Sequence, residues 1–238
     1  MLRRALGQAE RWGLVARNLA RLVSPPRVAR HEVRPYSPAE VRALLEAVPG
    51  NRLEALFVLT VATGLRVGEV LGLAWADVDL ERGALSVRRC LQRVEGRLQL
   101  LERKSERSRR TIALPRVAAE SLWEHRRRQL EERLAAGPLW EDSGLVFTTP
   151  TGGPIESRSV ARRWRALCHR RGLRPLCFHD LPYTAASLLL AQGVQLRAVM
   201  DVLGHSCISV TMDTYAHVMP ELLREAADRM DALLRRGD

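Results

Sequence analysis

Lysine is almost missing from this chain. Among 238 residues there are 38 lysine and arginine side chains, and only Lys104 is a lysine. Arginine serves wherever positive charge alone is needed, on a phosphate, at a helix end or on the surface. It does not release its proton, because its pKa lies above about 12, whereas a lysine is tunable toward neutrality. A single lysine among so many arginines is therefore a candidate general acid or Schiff-base residue. The plainer reading is a residue left over by composition drift, and the neighbouring segments have to decide.

Other shortages narrow the field. Cys90, Cys168, Cys177 and Cys207 show no CxxC spacing, so neither a disulfide framework nor a zinc knuckle is indicated, and a reduced, cytoplasmic protein is expected. The opening MLRRALGQAE lacks the apolar stretch of a signal peptide, and no apolar run approaches the roughly 20 residues of a spanning helix. No segment combines a basic face with a bulky aromatic one, which disfavours a membrane-surface helix. What is abundant is positive charge: the formal net charge is +11 and the pI near 10.9, with acidic residues interspersed. That balance suits a polyanion, and counterion release makes nucleic acid the leading partner.

Periodicity predicts an amphipathic helix over residues 4–22, with Val15, Leu19 and Leu22 on its apolar stripe. SPPRVARHEVRPYSP, residues 24–38, carries four prolines and four charged residues and reads as an extended basic linker. Ser37-Pro38-Ala39-Glu40 is a capping box with proline at the first helical position. A helix from about Asn51 is expected to stop at Gly64, and another to carry Val67 to Leu73. LSVRR, LQLLE and RTIAL then read as short strands separated by turn signals at Glu81-Arg82-Gly83 and Glu95-Gly96. They predict one small antiparallel sheet with Lys104 between its last two strands. Beyond Pro115 the expected helices are 116–136, 157–171, 181–192, 195–204, 206–217 and 220–236, with one short strand near 145–147. The fold class is α+β, mainly α-helical.

Four short segments carry the chemistry. Thr63-Gly64-Leu65-Arg66-Val67-Gly68-Glu69 sets an arginine at a helix start after a glycine break, a natural anion site. Lys104 lies in ERKSERSRRTIALP. His179-Asp180-Leu181-Pro182-Tyr183 leads into an apolar helix. Leu203-Gly204-His205-Ser206 is followed by Tyr215, one of only three tyrosines.

In this order the four resemble the catalytic domain of the tyrosine recombinases, the phage-integrase family, over about residues 36–220. TGLRVGEVLGLAWADVD, LGHSCISVTMDTYAHV and the TAASLLLAQG run are the most specific parts. The resemblance implies that Tyr215 is the nucleophile that attacks a DNA phosphodiester, leaving a 3′-phosphotyrosyl bond and a free 5′-hydroxyl. It implies that Lys104 is the general acid for that 5′-oxygen, and that Arg66 and His205 hold the non-bridging phosphate oxygens. His179 matches the general base or phosphate ligand, and Glu69 a supporting carboxylate. The chemistry requires fixed positive charge, an in-line nucleophile and an acid, and a covalent phosphotyrosine permits religation without ATP. No metal and no other cofactor is expected. The implied partners are double-stranded DNA and other copies of the chain, as a tetramer joined through the C-terminal helix. Leu223, Ala227, Met230 and Leu234 form a stripe on that helix.

Two departures from the family pattern stand out. The second phosphate-binding arginine, three residues after the first histidine, is here Pro182. With Asp180 as N-cap, Pro182 falls in the first helical turn, where its missing N–H does no harm. The fold is expected to tolerate it while catalysis suffers, with Arg174 and Arg197 as candidates to supply the missing guanidinium. The family also carries a helical core-binding domain ahead of the catalytic one. Residues 1–23 read as only its last helix, 24–37 as the linker and 38–238 as the catalytic domain. The competing function is a decayed integrase remnant that binds DNA without cutting it. A helix-turn-helix regulator is disfavoured, because QLRAVMDVLGHSCISVTMDTY offers few side chains able to read base edges.

Overall fold

The computed structural model describes residues 2–24, 33–102 and 109–204, together with Arg224, Ala227, Asp228, Met230, Asp231 and Leu234. The chain divides into two units, Met1–Glu32 and Val33–Asp238.

In the first unit the helix α1 spans Leu2–Arg11, not 4–22. Gly13 ends it with a left-handed φ of 71°. Leu14 N–H bonds to Ala9 O at 2.9 Å and Gly13 N–H to Glu10 O at 3.1 Å, the paired bonds of a Schellman motif. The chain then turns back. Asn18 Nδ2 donates to Arg3 O at 2.8 Å, and Glu10 Oε1 accepts the Asn18 N–H at 3.0 Å. The expected apolar stripe is not a buried one: Leu19 and Leu22 are 63% and 66% exposed.

In the second unit the capping box forms as expected. Ser37 Oγ accepts from Glu40 N–H at 3.2 Å and Glu40 Oε2 from Ser37 N–H at 2.7 Å, opening α2 (Pro38–Ala47). Helix α3 (Glu54–Thr63) is apolar all round and buried all round, as a central core helix must be. It packs against α5 (Arg116–Ala136) on one side and α7 (Leu181–Ala191) on the other. Phe57 of α3 meets Trp164 of α6 (Ser157–Arg170) edge-on at 5.2 Å and Phe178 at 5.9 Å, a geometry aromatic quadrupoles favour.

The α+β, mainly helical class holds, but among the described residues the strands form two antiparallel sheets rather than one. β1 (Val78–Asp79), β2 (Ala84–Val87) and β5 (Arg110–Ala113) pair in the order β1-β2-β5. β3 (Arg89–Val94) and β4 (Arg97–Glu102) form a separate hairpin whose turn is Glu95-Gly96. Arg88, between β2 and β3, belongs to neither sheet. The Lys104 segment joins β4 to β5 in sequence and lies outside the described residues.

Near 145–147 the expected strand is reduced to a single bridge, Ala74 with Leu145, and a bond from Val146 N–H to Leu73 O at 2.9 Å. Side chains of α5 take up the carbonyls a partner strand would otherwise bond. Gln129 Nε2 donates to Leu145 O and Val146 O at 3.1 and 3.0 Å, and His125 Nε2 lies 2.7 Å from Val146 O.

Candidate functional site

Gly64 closes α3 in the left-handed conformation, with φ of 68°. The turn it makes delivers Leu65 into the core and Arg66 to the start of α4 (Val67–Leu71). A Cβ at Gly64 would collide with Leu203 Cδ2 and lie 3.3 Å from Ala185 Cβ and 3.6 Å from the Pro182 carbonyl. The Arg66 turn is thereby pressed against the first turns of α7 and the last turn of α8 (Leu196–Leu203).

Glu69 binds Arg66 twice. Its Oε2 accepts the Arg66 backbone N–H at 3.0 Å and its Oε1 accepts from Arg66 Nη1 at 3.1 Å. The carboxylate is buried, with 1% side-chain exposure, while the Arg66 side chain keeps 35%. A second guanidinium, Arg110 at the start of β5, completes the shell. Its Nη1 and Nη2 donate to Glu69 Oε1 and Oε2 at 3.2 and 2.9 Å, and its Nε to Val202 O at 2.6 Å. Burial by itself would raise the Glu69 carboxyl, but the hydrogen bonds and charge of Arg110, followed by those of Arg66, pull it below its ordinary value. With Arg66 and Arg110 both charged and Glu69 ionised, the trio keeps a net positive charge with Arg66 as its exposed end.

Gly204 follows α8 with a left-handed φ of 63°. A Cβ there would come within 2.7 Å of Arg110 Nη1, so the guanidinium lies directly on this glycine. Arg66 Nη2 approaches Gly204 O at 3.5 Å. The residue that follows is His205.

The structure thus brings together Arg66, Glu69, the start of α7 with Pro182, and the end of α8 that leads to His205. Pro182 is the second residue of α7, where a proline costs no hydrogen bond. Asp180 makes no side-chain cap, because a 3-10 turn over Phe178–Asp180 runs directly into α7 and leaves Asp180 helical rather than extended. His179 lies exposed in that turn. Lys104, His205 and Tyr215 fall outside the described residues, as does Leu223 of the expected C-terminal stripe. Of the rest of that stripe, Met230 and Leu234 are 56% and 72% exposed in the single chain.

Each candidate for the missing guanidinium is paired with a carboxylate of its own. Arg174 Nε binds Glu40 Oε1 at 2.5 Å, its Nη2 binds Pro35 O at 3.0 Å, and it stacks over Tyr36 at 4.8 Å. Arg197 pairs one turn along α8 with Asp201 at 3.4 Å. Arg110 is the functional-site residue that sequence reasoning missed. It sits in a run of arginines, RSRR, where its buried guanidinium is in sequence no different from that of the exposed Arg109 beside it.

Positive charge extends beyond the cluster. No Asp or Glu occurs between Glu156 and Asp180, a stretch holding seven arginines. On α6 the apolar residues Val160, Trp164 and Leu167 face inward, which turns Arg158, Arg162 and Arg165 outward at helical spacing. Beside β5 an open cleft of about 750 Å³ is lined by Arg88, Arg89, Arg109 and Arg110 with Asp77 and Glu102.

A mainly helical body with small antiparallel ladders, and an arginine turn docked on the ends of two later helices, is the catalytic-domain architecture of tyrosine recombinases. The Tn1549 transposon integrase, solved with circular intermediate DNA, superposes with a TM-score of 0.74 at 21% identity, over 96% of this chain and 76% of that one. XerA recombinase superposes with a TM-score of 0.66 at 23% identity, over 85% and 66%. Residues 36–221 match the phage integrase family, and the chain belongs to it. Its relatives include a XerC-like tyrosine recombinase of Caldanaerobacter subterraneus subsp. tengcongensis, 35% identical over 222 residues. An integrase of Streptomyces ambofaciens is 32% identical over 254 residues. The alignments take in 88% and 99% of this chain but 57% and 63% of those relatives, so it spans less than two thirds of their length.

Proposed function

We propose that this chain is the catalytic part of a site-specific recombinase that cuts and rejoins double-stranded DNA through a covalent bond to Tyr215. The observation that carries the reading is that the Arg66 turn and the turn before His205 meet at the buried Glu69 carboxylate, the latter through Arg110, while the start of α7 packs on Gly64. The family match, which spans Lys104, His205 and Tyr215, supports it.

In this scheme Arg66 holds the scissile phosphate through the donors it keeps exposed, while its other edge is fixed by Glu69. His205 binds the second non-bridging oxygen. The Tyr215 oxygen, losing its proton to His179 or to water, attacks phosphorus in line, and the bond from phosphorus to the 5′-oxygen breaks. Lys104 gives that oxygen its proton and becomes the neutral amine. In religation a 5′-hydroxyl attacks the phosphotyrosine, Lys104 recovers the proton, and Tyr215 leaves. Glu69 acts as support and never touches the substrate.

Pro182 offers no donor at the place of the second arginine, and one missing oxyanion donor lowers the rate by about 100 to 1000-fold. We read the chain as a slowed enzyme. The alternative, a decayed integrase that only binds DNA, is favoured by that same Pro182. Both readings use the acid-free arginine face of α6 for the DNA backbone. We further assign residues 1–23 to the end of a core-binding domain, 24–37 to a linker, and Met230 and Leu234 to a surface that joins subunits of a tetramer. A cytoplasmic, nucleoid-bound location follows from the DNA partner; no helix among the described residues is long and apolar enough to cross a membrane.

The test is a nicked suicide DNA that traps the covalent complex. The starting protein is expected to form an adduct slowly, Tyr215→Phe none, and Pro182→Arg more quickly. If only Pro182→Arg forms the adduct, the decayed-integrase reading is correct. If neither forms it although both bind the DNA, the cleavage reading fails.

A further inference from the structure

Arg110 lies 41 residues from Glu69 and 92 from Val202 in sequence, yet one guanidinium bonds to both. All three of its nitrogens are engaged: two on the Glu69 carboxylate, the third on the Val202 carbonyl. Its side chain is only 7% exposed. Three of its five N–H donors are thus spent on the protein.

A guanidinium is rigid and planar, so its donors point in fixed directions. An acceptor pair on one edge and a carbonyl on another are held in one plane at fixed separation. Here the pair belongs to the carboxylate that sets Arg66, and the carbonyl belongs to the last turn of α8, two residues ahead of Gly204. The absence of a side chain at Gly204 lets the guanidinium lie on the backbone that leads to His205. Arg110 also opens β5, directly after the segment that holds Lys104.

We propose that Arg110 is a positioning residue of the recombination site, its guanidinium plane fixing the Val202–Gly204 end of α8 relative to Glu69 and Arg66. The function of this positioning rests on the recombinase reading given above; the positioning itself does not. A displacement of about 1 Å in a catalytic group is enough to cost on the order of 100-fold in rate. A charge-only role would need no plane: any cation beside Glu69 would suffice.

Arg110→Lys separates the two. It keeps the charge beside Glu69 but loses the plane, so Glu69 and Val202 are no longer held together. Arg110→Met removes both. With the full chain and nicked suicide DNA, Arg110→Lys is expected to slow adduct formation at saturating protein by at least about tenfold and Arg110→Met by about 100-fold, with DNA affinity changed less than about threefold. Full rate in Arg110→Lys overturns the proposal in favour of charge alone. A parallel loss of affinity and rate in both variants overturns it in favour of a general structural role.

Hydrogen exchange of the free chain tests the same point without catalysis. In Arg110→Lys the amides of residues 202–204 are expected to exchange about tenfold faster, with 116–136 unchanged. Unchanged exchange at 202–204, or a uniform rise along the chain, overturns the proposal. If the starting protein forms no adduct, the recombinase reading is what fails, and the exchange experiment alone decides the role of Arg110.

Discussion

Gly64 and Leu203 stand 139 positions apart in sequence and touch so closely that no side chain larger than hydrogen fits at Gly64. Through this contact the end of α3 and the end of α8 share one surface, and Arg66 is carried to the turn that precedes His205.

Gly64→Ala is expected to destabilise the protein by about 2–5 kcal/mol. Roughly 1–2 kcal/mol comes from the left-handed backbone and about 1–3 from overpacking against Leu203. Denaturant unfolding measures the total, and a cycle with Leu203→Ala isolates the packing part. A coupling of at least about 1 kcal/mol is expected; strict additivity would place the whole cost in the backbone.

Glu69→Gln keeps the shape of the side chain but leaves Arg110 buried beside a neutral amide. Breaking a buried pair in this way costs about 3–5 kcal/mol. The folded-state pKa of Glu69 is depressed, so its contribution is present above the unfolded value near 4.5 and lost as pH falls through the lower folded value. Thermal unfolding from pH 7 to acid should therefore show a shallower acid decline in Glu69→Gln than in the parent, and identical slopes would contradict this assignment.

Glu40, in the first turn of α2, has a similar dependence. The hydrogen bond from Arg174, set against the opposing effect of burial and aided by Ser37, lowers its pKa from 4.5 to about 2. The stability it supplies is complete above about 4.5 and disappears between there and about 2. Glu40→Gln is expected to flatten melting temperature against pH in that window and nowhere else.

The arginine face of α6 predicts a salt effect. If Arg158, Arg162 and Arg165 each neutralise one phosphate, replacing all three with glutamine lowers the slope of log affinity against log salt by about 2–3. Fluorescence anisotropy on a DNA duplex over a salt series measures it. A slope unchanged within 0.5, roughly half a phosphate contact, would move the DNA to another face.

Several elements were legible because their causes are local. The Ser37–Glu40 box, the Gly64 stop and the Glu95-Gly96 turn are each settled by residues within a few positions of one another. The helix expected over 4–22 ends early for an equally local reason: Gly13 takes a left-handed φ and closes it ahead of Val15, Leu19 and Leu22. The strand near 145–147 failed for a distant one: its bonding partners are Gln129 and His125 on a helix.

By itself the sequence determined the helix-rich class, the single lysine, and the Arg66–Glu69 pair, whose spacing of three residues sets both on one face of a helix. Tertiary structure alone decided that Arg110 rather than Arg174 or Arg197 lies at the site. Nothing within RSRR distinguishes the buried guanidinium, because burial depends on the Glu69 carboxylate and the Val202 carbonyl brought to it from 41 and 92 positions away. Short-range capping and periodicity are written in neighbouring residues, whereas the choice among chemically identical side chains is made by which acceptors the packed fold places in reach.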